Sequence, residues 1–300
     1  MTLHAIVAAL GGDLYQGGHR ANVPAPGHSA HDRSVSLLHT DGRLVIHGFG
    51  ATDWRAMRDD LRQRGFIDDG GRLTGGGHHA GSTWPRPDRL ARLEAAAQLW
   101  ESAVPISVTS AAARHIRSRS VTNGIASSNL RHHSYAPTSV YRPGNNRRPA
   151  LIARISDGAD RLTGVELTYL NPNGRRTTEL RVSRKTVGHV PPGAAVRLWP
   201  AAPEMLAAEG VITTLSAIER FQLPGWALLA ANNLACWTPP SCVRRVLIAA
   251  DRGVVGQDRA CRLHRRLVDL GIIAQVVWPD APFDDWNAVA MAQAKAEQGR

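Results

Sequence analysis

The chain has 300 residues, of which 43% are hydrophobic, and carries a formal charge of +11 at pH 7. Length and apolar content exclude a disordered tail and suffice for two or three small domains with real cores, while the charge points to a polyanionic partner, nucleic acid first. No apolar run approaches the roughly 20 residues of a membrane-spanning helix and the N-terminus lacks the basic start of a secretory signal, so a cytoplasmic protein with no membrane partner is expected.

Residues 1 to about 80 are rich in Gly and His, with short alternating runs SVSLL (34–38) and RLVIHGF (43–49) around HTDG, which read as a hairpin. In DWRAMRDDLRQRG (53–65) the spacing of Trp54, Met57 and Leu61 predicts a short helix stopped by Gly65. The Gly- and Pro-dense residues 68–87 read as a linker. Asp88 then caps an amphipathic helix, DRLARLEAAAQLWESA, with Leu90, Leu93, Ala97 and Leu99 or Trp100 on one side. A polar, serine-rich segment follows. ALIARI, GVELTYL and TTELRVS, separated by SDGADRLT and NPNG, predict a small antiparallel sheet over about 149–198. In the last hundred residues apolar runs alternate with helical patterns, the signature of buried parallel strands in an α/β domain. The three cysteines, Cys236, Cys242 and Cys261, all lie there; their odd number fits no disulfide framework.

Two acids stand where open α/β sheets carry chemistry, just past the carboxyl end of an apolar strand: Glu209 after MLAA and Asp251 after VLIAA. If the two strands are neighbours, both carboxylates converge at one sheet edge and could hold Mg²⁺, with phosphates and waters completing its octahedron. Each could equally be a helix cap with no ligand. No Walker A loop, strand-linked G-x-G-x-x-G or G-x-S-x-G elbow is present.

The ordered series AAEGVITTLSA (207–217), VLIAADRGVVGQDRA (246–260) and PFDDWNAVA (282–290) resembles the Toprim domain shared by bacterial primases and topoisomerases. It looks most like the DnaG-type, Toprim primase-like proteins of plasmids, phages and other mobile elements. The upstream segments VPAPGHSAHDRSVSLL, WPRPDRLARLEAAAQLW, PALIARISDGADRLTGVELTYLNPNG and AVRLWP are similar to that family too. The resemblance implies four parts: a degenerate zinc-ribbon-like module (1–67), the linker (68–87), a helical segment plus antiparallel β subdomain (88–198) and a Toprim domain (199–300). It implies Glu209 and Asp251 as catalytic, Mg²⁺- or Mn²⁺-binding acids and Asp285 as a supporting acid. The implied activity is synthesis of short RNA primers from ribonucleoside triphosphates on single-stranded DNA, with a replicative helicase as a further partner. Arg184, Lys185, Arg197 and Arg131 are the candidates for contacting nucleic acid or nucleotide.

The chain departs from the family pattern twice. Gly253 stands where the second aspartate of the family's DxD belongs, which weakens two-metal binding; Asp258, about two helical turns on, is too far to replace it. Val23 stands at a zinc-cysteine position and no cysteine precedes Cys236, so zinc is not expected; His28, His31, His39 and His47 are the only imidazoles of residues 23–67. The module is instead expected to pack around Val23, Leu37, Val45 and Phe49. These departures leave two alternatives open: a catalytically impaired scaffold that binds nucleic acid, and a Toprim nuclease. Trp84, Trp199 and Trp286 could stack on bases or serve as core.

Overall fold

The computed structural model describes residues 2–29, 32–49, 52–74, 87–141, 144–180 and 182–299. His31, Trp84 and most of the expected linker lie outside the described residues. The chain divides into two compact units, Met1–Pro85 and Arg86–Arg300.

The first unit runs α1 (Leu3–Leu10), β1 (Asp13–Tyr15), β2 (Arg20–Val23), β3 (Val35–Thr40), β4 (Arg43–Gly48) and α2 (Trp54–Gln63), its strands forming one antiparallel sheet in chain order. The β3–β4 hairpin turns through Asp41 (φ 50°) and Gly42 (φ 73°), the two left-handed positions a two-residue loop requires. Asp53 caps α2 by accepting from the Arg55 amide, and Met57 and Leu61 are buried. Trp54 faces outward instead, beneath the guanidinium groups of Arg55 and Arg58.

The expected core needs correction. Val23 and Leu37 are fully buried, but Val45 and Phe49 are 50% and 46% exposed. Strand alternation explains it: β4 turns Leu44 and Ile46 inward, which sends Val45, His47 and Phe49 outward. The missing apolar mass comes from α1, whose Leu3 and Ile6 join Val35, Met57, Leu61 and Ile67. Each such buried aliphatic side chain contributes about 1.5–3 kcal/mol. Residues 68–74, read above as linker, belong to this unit: Arg72 bridges Arg43, Leu73 bridges Ile67, and the Gly71 carbonyl accepts from the Leu44 amide.

Asp32 ties the residues just after β2 to those just before β3. Its carboxylate accepts from the amides of Ala25 (3.1 Å) and Ser34 (3.2 Å) and from the Ser34 hydroxyl, and lies 2.9 Å from His28 Nδ1. The Ser34 hydroxyl first, then the Ala25 amide and His28, hold this carboxyl down to about 2.

The second unit opens with α3 (Arg89–Glu101), capped by Asp88 accepting from Ala91 N at 2.7 Å. It buries Ala96 and Leu99, whereas Leu90 is exposed. There follow β5 (Val104–Pro105), α4 (Ala111–Ser118), β6 (Leu130–Pro137), β7 (Arg147–Ser156), β8 (Leu162–Tyr169) and β9 (Arg184–Gly188), the strands forming an antiparallel sheet in that order. One face, including Ala150, Ile152, Val165, Leu167, Tyr169 and Val187, packs on α3. The other carries Leu151, Ala153 and Ile155 into the core of the C-terminal layer. The described residues of TTELRVS form no strand: Tyr169 N donates to Ser183 O, and the ladder pairing with β8 begins at Arg184.

The C-terminal layer comprises β10 (Val196–Arg197), β11 (Glu204–Ala208), α5 (Val211–Phe221), β12 (Gly225–Ala227), α6 (Ala231–Leu234), β13 (Arg245–Ala249), α7 (Val254–Asp269), β14 (Ile273–Val277) and α8 (Trp286–Gln298). The sheet order is β10-β12-β11-β13-β14; all pairs are parallel except the β10–β12 edge. Core residues of α5 and α8 cover one face and those of α7 the other, so the strands read as continuous apolar runs. A bridge between Ser156 and Ala195 ties β7 to the segment leading into β10.

Candidate active site

β11 and β13 are parallel neighbours, so their carboxyl ends lie side by side. Glu209 follows the first and Asp251 the second; Asp285 approaches from the loop before α8, where it caps the helix by accepting from Ala288 N at 2.7 Å. The Asp251 and Asp285 loops are tied together: Arg252 N donates to Asp284 O and Arg252 Nε to Pro279 O, both at 2.7 Å. Burial pushes the Asp251 carboxyl up to about 7, and the charges of Glu209 and Asp285 add to the rise. Its Oδ1 is buried and has no hydrogen-bond partner among the described residues.

An uncompensated buried carboxylate between two others fits a cation. The donors are hard oxygens, the class that Mg²⁺ and Mn²⁺ prefer, and Mg²⁺ needs few protein ligands when phosphates and waters complete the shell. Among the described residues no three His, Cys, Asp or Glu side chains already stand in metal-holding geometry, so such an ion would draw on non-protein oxygens as well. Asp258 takes no part: it is exposed on α7 and pairs with Arg262 at 3.1 Å. Gly253 has φ 126° and ψ 150°, a conformation essentially restricted to glycine. An aspartate at this position could not adopt that backbone without strain.

Beside the acids lies a cavity of about 450 Å³. It is lined by Arg119, Arg176 and Arg184 and by the amino end of α5, Gly210 to Thr213, which has no side-chain cap and adds its amides. Leu151, Ala153, Glu166 and Thr168 of the sheet line it as well, as does Asp285. His115 also lines it; burial lowers its pKa, and its Nδ1 lies 3.0 Å from Gly174 O in the NPNG turn. That turn needs glycine at 174, where φ is 86° and a Cβ would strike Arg114 and His115. Asn287 of the DWN segment is wholly buried and donates to Arg119 O (2.6 Å) and Ser216 Oγ (3.0 Å), joining α8 to the end of α4.

The four basic candidates do not gather. Only Arg184 faces the cavity. Lys185, one residue on, points to the α3 side, donates to Thr138 O at 2.7 Å over the Tyr169 ring, and is pushed down to about 8 by burial. Arg197 donates to Asp157 O and Gly158 O and stacks over Trp226; Arg131 donates to Trp100 O and stacks over that ring. Each of the three lies over an aromatic ring and donates to a backbone carbonyl. Trp286 is core, edge-on to Phe221, and Trp199 is half-buried against the same cluster. Arg119 and Glu166 were not singled out by sequence reasoning.

Residues 204–296 match the Toprim domain, and residues 91–198 match a domain of unknown function (DUF7146). The C-terminal layer is thus a Toprim domain, preceded by antiparallel sheets. No curated protein matches the chain. Similar solved structures include the primase fragment of the bacteriophage T7 primase-helicase protein, at 12% identity and TM-score 0.44, covering 93% of this chain and 97% of that one. The zinc-binding and RNA polymerase domains of Aquifex aeolicus primase align at 13% identity and TM-score 0.48, over 100% and 82%. A DnaG primase catalytic domain bound to ssDNA aligns at 14% identity and TM-score 0.47, over 70% and 77%.

Proposed function

We propose that this chain is a primase-like nucleotidyltransferase that joins ribonucleotides on a single-stranded DNA template, in the replication or transfer of a mobile element, with a helicase as partner. The observation that carries this reading is the buried Asp251 oxygen, without a hydrogen-bond partner among the described residues and under the charges of Glu209 and Asp285, the second of which lines a cavity shared with three arginines. In this reading Asp251 and Glu209 hold the divalent ion, Mg²⁺ or Mn²⁺, which supplies charge neutralisation at phosphate oxygens when bound. Arg119, Arg176 and Arg184 and the free amides of α5 bind and orient the triphosphate. Glu209 receives the proton of the attacking 3′-hydroxyl. Residues 1–67 serve as the template-engaging module, residues 88–198 as the nucleotide-facing subdomain and residues 199–300 as the acid-bearing domain, in a cytoplasmic setting.

Labelled ribonucleotides, single-stranded DNA and Mg²⁺ or Mn²⁺ should yield short products with the wild-type chain and none with Glu209→Gln. A second reading, a nucleic-acid-binding scaffold without catalysis, is favoured by the glycine-only backbone at 253 and the lack of a ready three-ligand group among the described residues. It expects no products under any metal and salt-sensitive DNA binding that persists in EDTA. Nicking of supercoiled plasmid by the wild type would instead identify a Toprim nuclease.

A further inference from the structure

Among the described residues two acids line the cavity, Asp285 and Glu166, and they differ in what already holds them. Asp285 is engaged in capping α8. Glu166 lies on β8, two residues from Thr168, so both project from the face opposite α3; Arg184 pairs with Thr168 across the β8–β9 ladder and shares that face. The Glu166 side chain is 12% exposed, and no hydrogen bond reaches its carboxylate among the described residues. Arg184 Nε stands 3.9 Å away, too far for a hydrogen bond, so the guanidinium keeps its donors for another anion. Burial raises the pKa of Glu166 against the pull of Arg184. An acceptor held in this state lowers its free energy by receiving O–H or N–H donors from a ligand.

A ribonucleoside triphosphate on a template has few donors to spare for such a group. Its triphosphate has none and belongs with Arg119, Arg176, Arg184 and the α5 amides. The Watson–Crick donors are committed to the template base. The remaining exocyclic hydrogens occur on some bases and not on others, whereas templated synthesis takes all four. The 3′-hydroxyl is the nucleophile of the next addition. There remains the 2′-hydroxyl, present on every ribonucleotide and carried by the sugar that follows the phosphates, as Glu166 stands next to Arg184. We infer that Glu166 distinguishes ribonucleotides from deoxyribonucleotides by accepting a hydrogen bond from the 2′-hydroxyl of the nucleotide whose triphosphate lies on the arginines. An acid on a ribose hydroxyl is also the arrangement of dinucleotide-binding folds. A deoxyribonucleotide leaves the carboxylate buried without its donor, and a site built for a hydroxyl rejects the analogue that lacks it. The inference rests on the nucleotidyltransferase reading, which puts a nucleotide in the cavity and its base on a template.

The test is calorimetric titration of the full chain, in Mg²⁺, with ATP, 2′-dATP, UTP and 2′-dUTP, for wild type, Glu166→Leu and Glu166→Gln. Wild type should bind each ribonucleotide about tenfold or more tighter than its 2′-deoxy form, with the same ratio for the two bases. Glu166→Leu, similar in size but without an acceptor, should bring ATP to the 2′-dATP level while leaving 2′-dATP within about twofold. Glu166→Gln keeps one neutral acceptor and should narrow the ratio to about threefold; it decides alone if Glu166→Leu does not fold. Equal affinities for the two sugars in wild type, a ratio confined to one base, or a ratio unchanged in the variants would each overturn the inference and leave the nucleotidyltransferase reading intact. A loss of affinity shared by both sugars, at unchanged ratio, would make Glu166 a positioning partner of Arg184 and overturn it equally. Failure of every nucleotide to bind the wild type would overturn both readings.

Discussion

Asp32 in the first unit and Asp251 in the Toprim domain are the same side chain in opposite circumstances. Asp32 accepts from two amides and a hydroxyl and stands beside His28, and its carboxyl is held at about 2. Asp251 has a buried oxygen with no hydrogen-bond partner among the described residues, feels the charges of two further acids, and is driven up to about 7. The first carboxylate is complete without a ligand and fixes a loop. The second is incomplete within its own chain, and incompleteness of that kind is how a binding site differs from a structural knot.

The contrast can be broken most directly by removing the charge at Asp251. Asp251→Asn should abolish any templated synthesis yet stabilise the protein in EDTA by on the order of 1 kcal/mol, read as a higher melting temperature, since it relieves repulsion from Glu209 and Asp285. It should also lose whatever thermal shift Mn²⁺ gives the wild type. A destabilised variant would place Asp251 with Asp32, as a satisfied group. Next in size is Gly253→Asp, which restores the family's second acid. The position has open space for a Cβ but the wrong backbone, so the variant should lose about 1–3 kcal/mol in chemical denaturation without gaining activity. A stable and more active Gly253→Asp protein would refute this. Asp32→Ala sharpens the other side of the comparison. It should speed hydrogen exchange at the Ala25 and Ser34 amides by about tenfold or more. Because the folded pKa of Asp32 lies below its unfolded value, its stabilisation is present above about pH 4 and lost as pH falls toward about 2. Acid titration of wild type and variant should therefore converge at the low end of that window.

How far the site could be read in advance depended on what kind of order placed each residue. Glu209 and Asp251 were legible because an acid directly after an apolar strand is a local pattern, and the DWN segment flagged Asp285. Glu166 and Arg119 were not, because their facing depends on register and on a loop held from 168 residues away by Asn287. Arg184 and Lys185 show the limit sharply: neighbours in sequence, they occupy opposite faces of β9, and only the pairing with Glu166 and Leu167 decides which one meets the cavity. Helix α1 and strand β6 escaped for different reasons. LHAIVAAL is short and apolar nearly all round. LRHHSYAP mixes its alternation with histidines and shifts register between His133 and Ala136. The central strands β11 and β13 were legible, since burial on both faces leaves nearly unbroken apolar runs.

Asn287 has one more consequence. A single amide, sealed from water, clasps the backbone of Arg119 and the hydroxyl of Ser216, so the helix that follows Asp285 is fastened both to α5 and to the backbone that carries one of the cavity's arginines. A substrate entering between them meets a mould already set and spends little of its binding free energy on arranging the walls; what remains is free to discriminate among substrates.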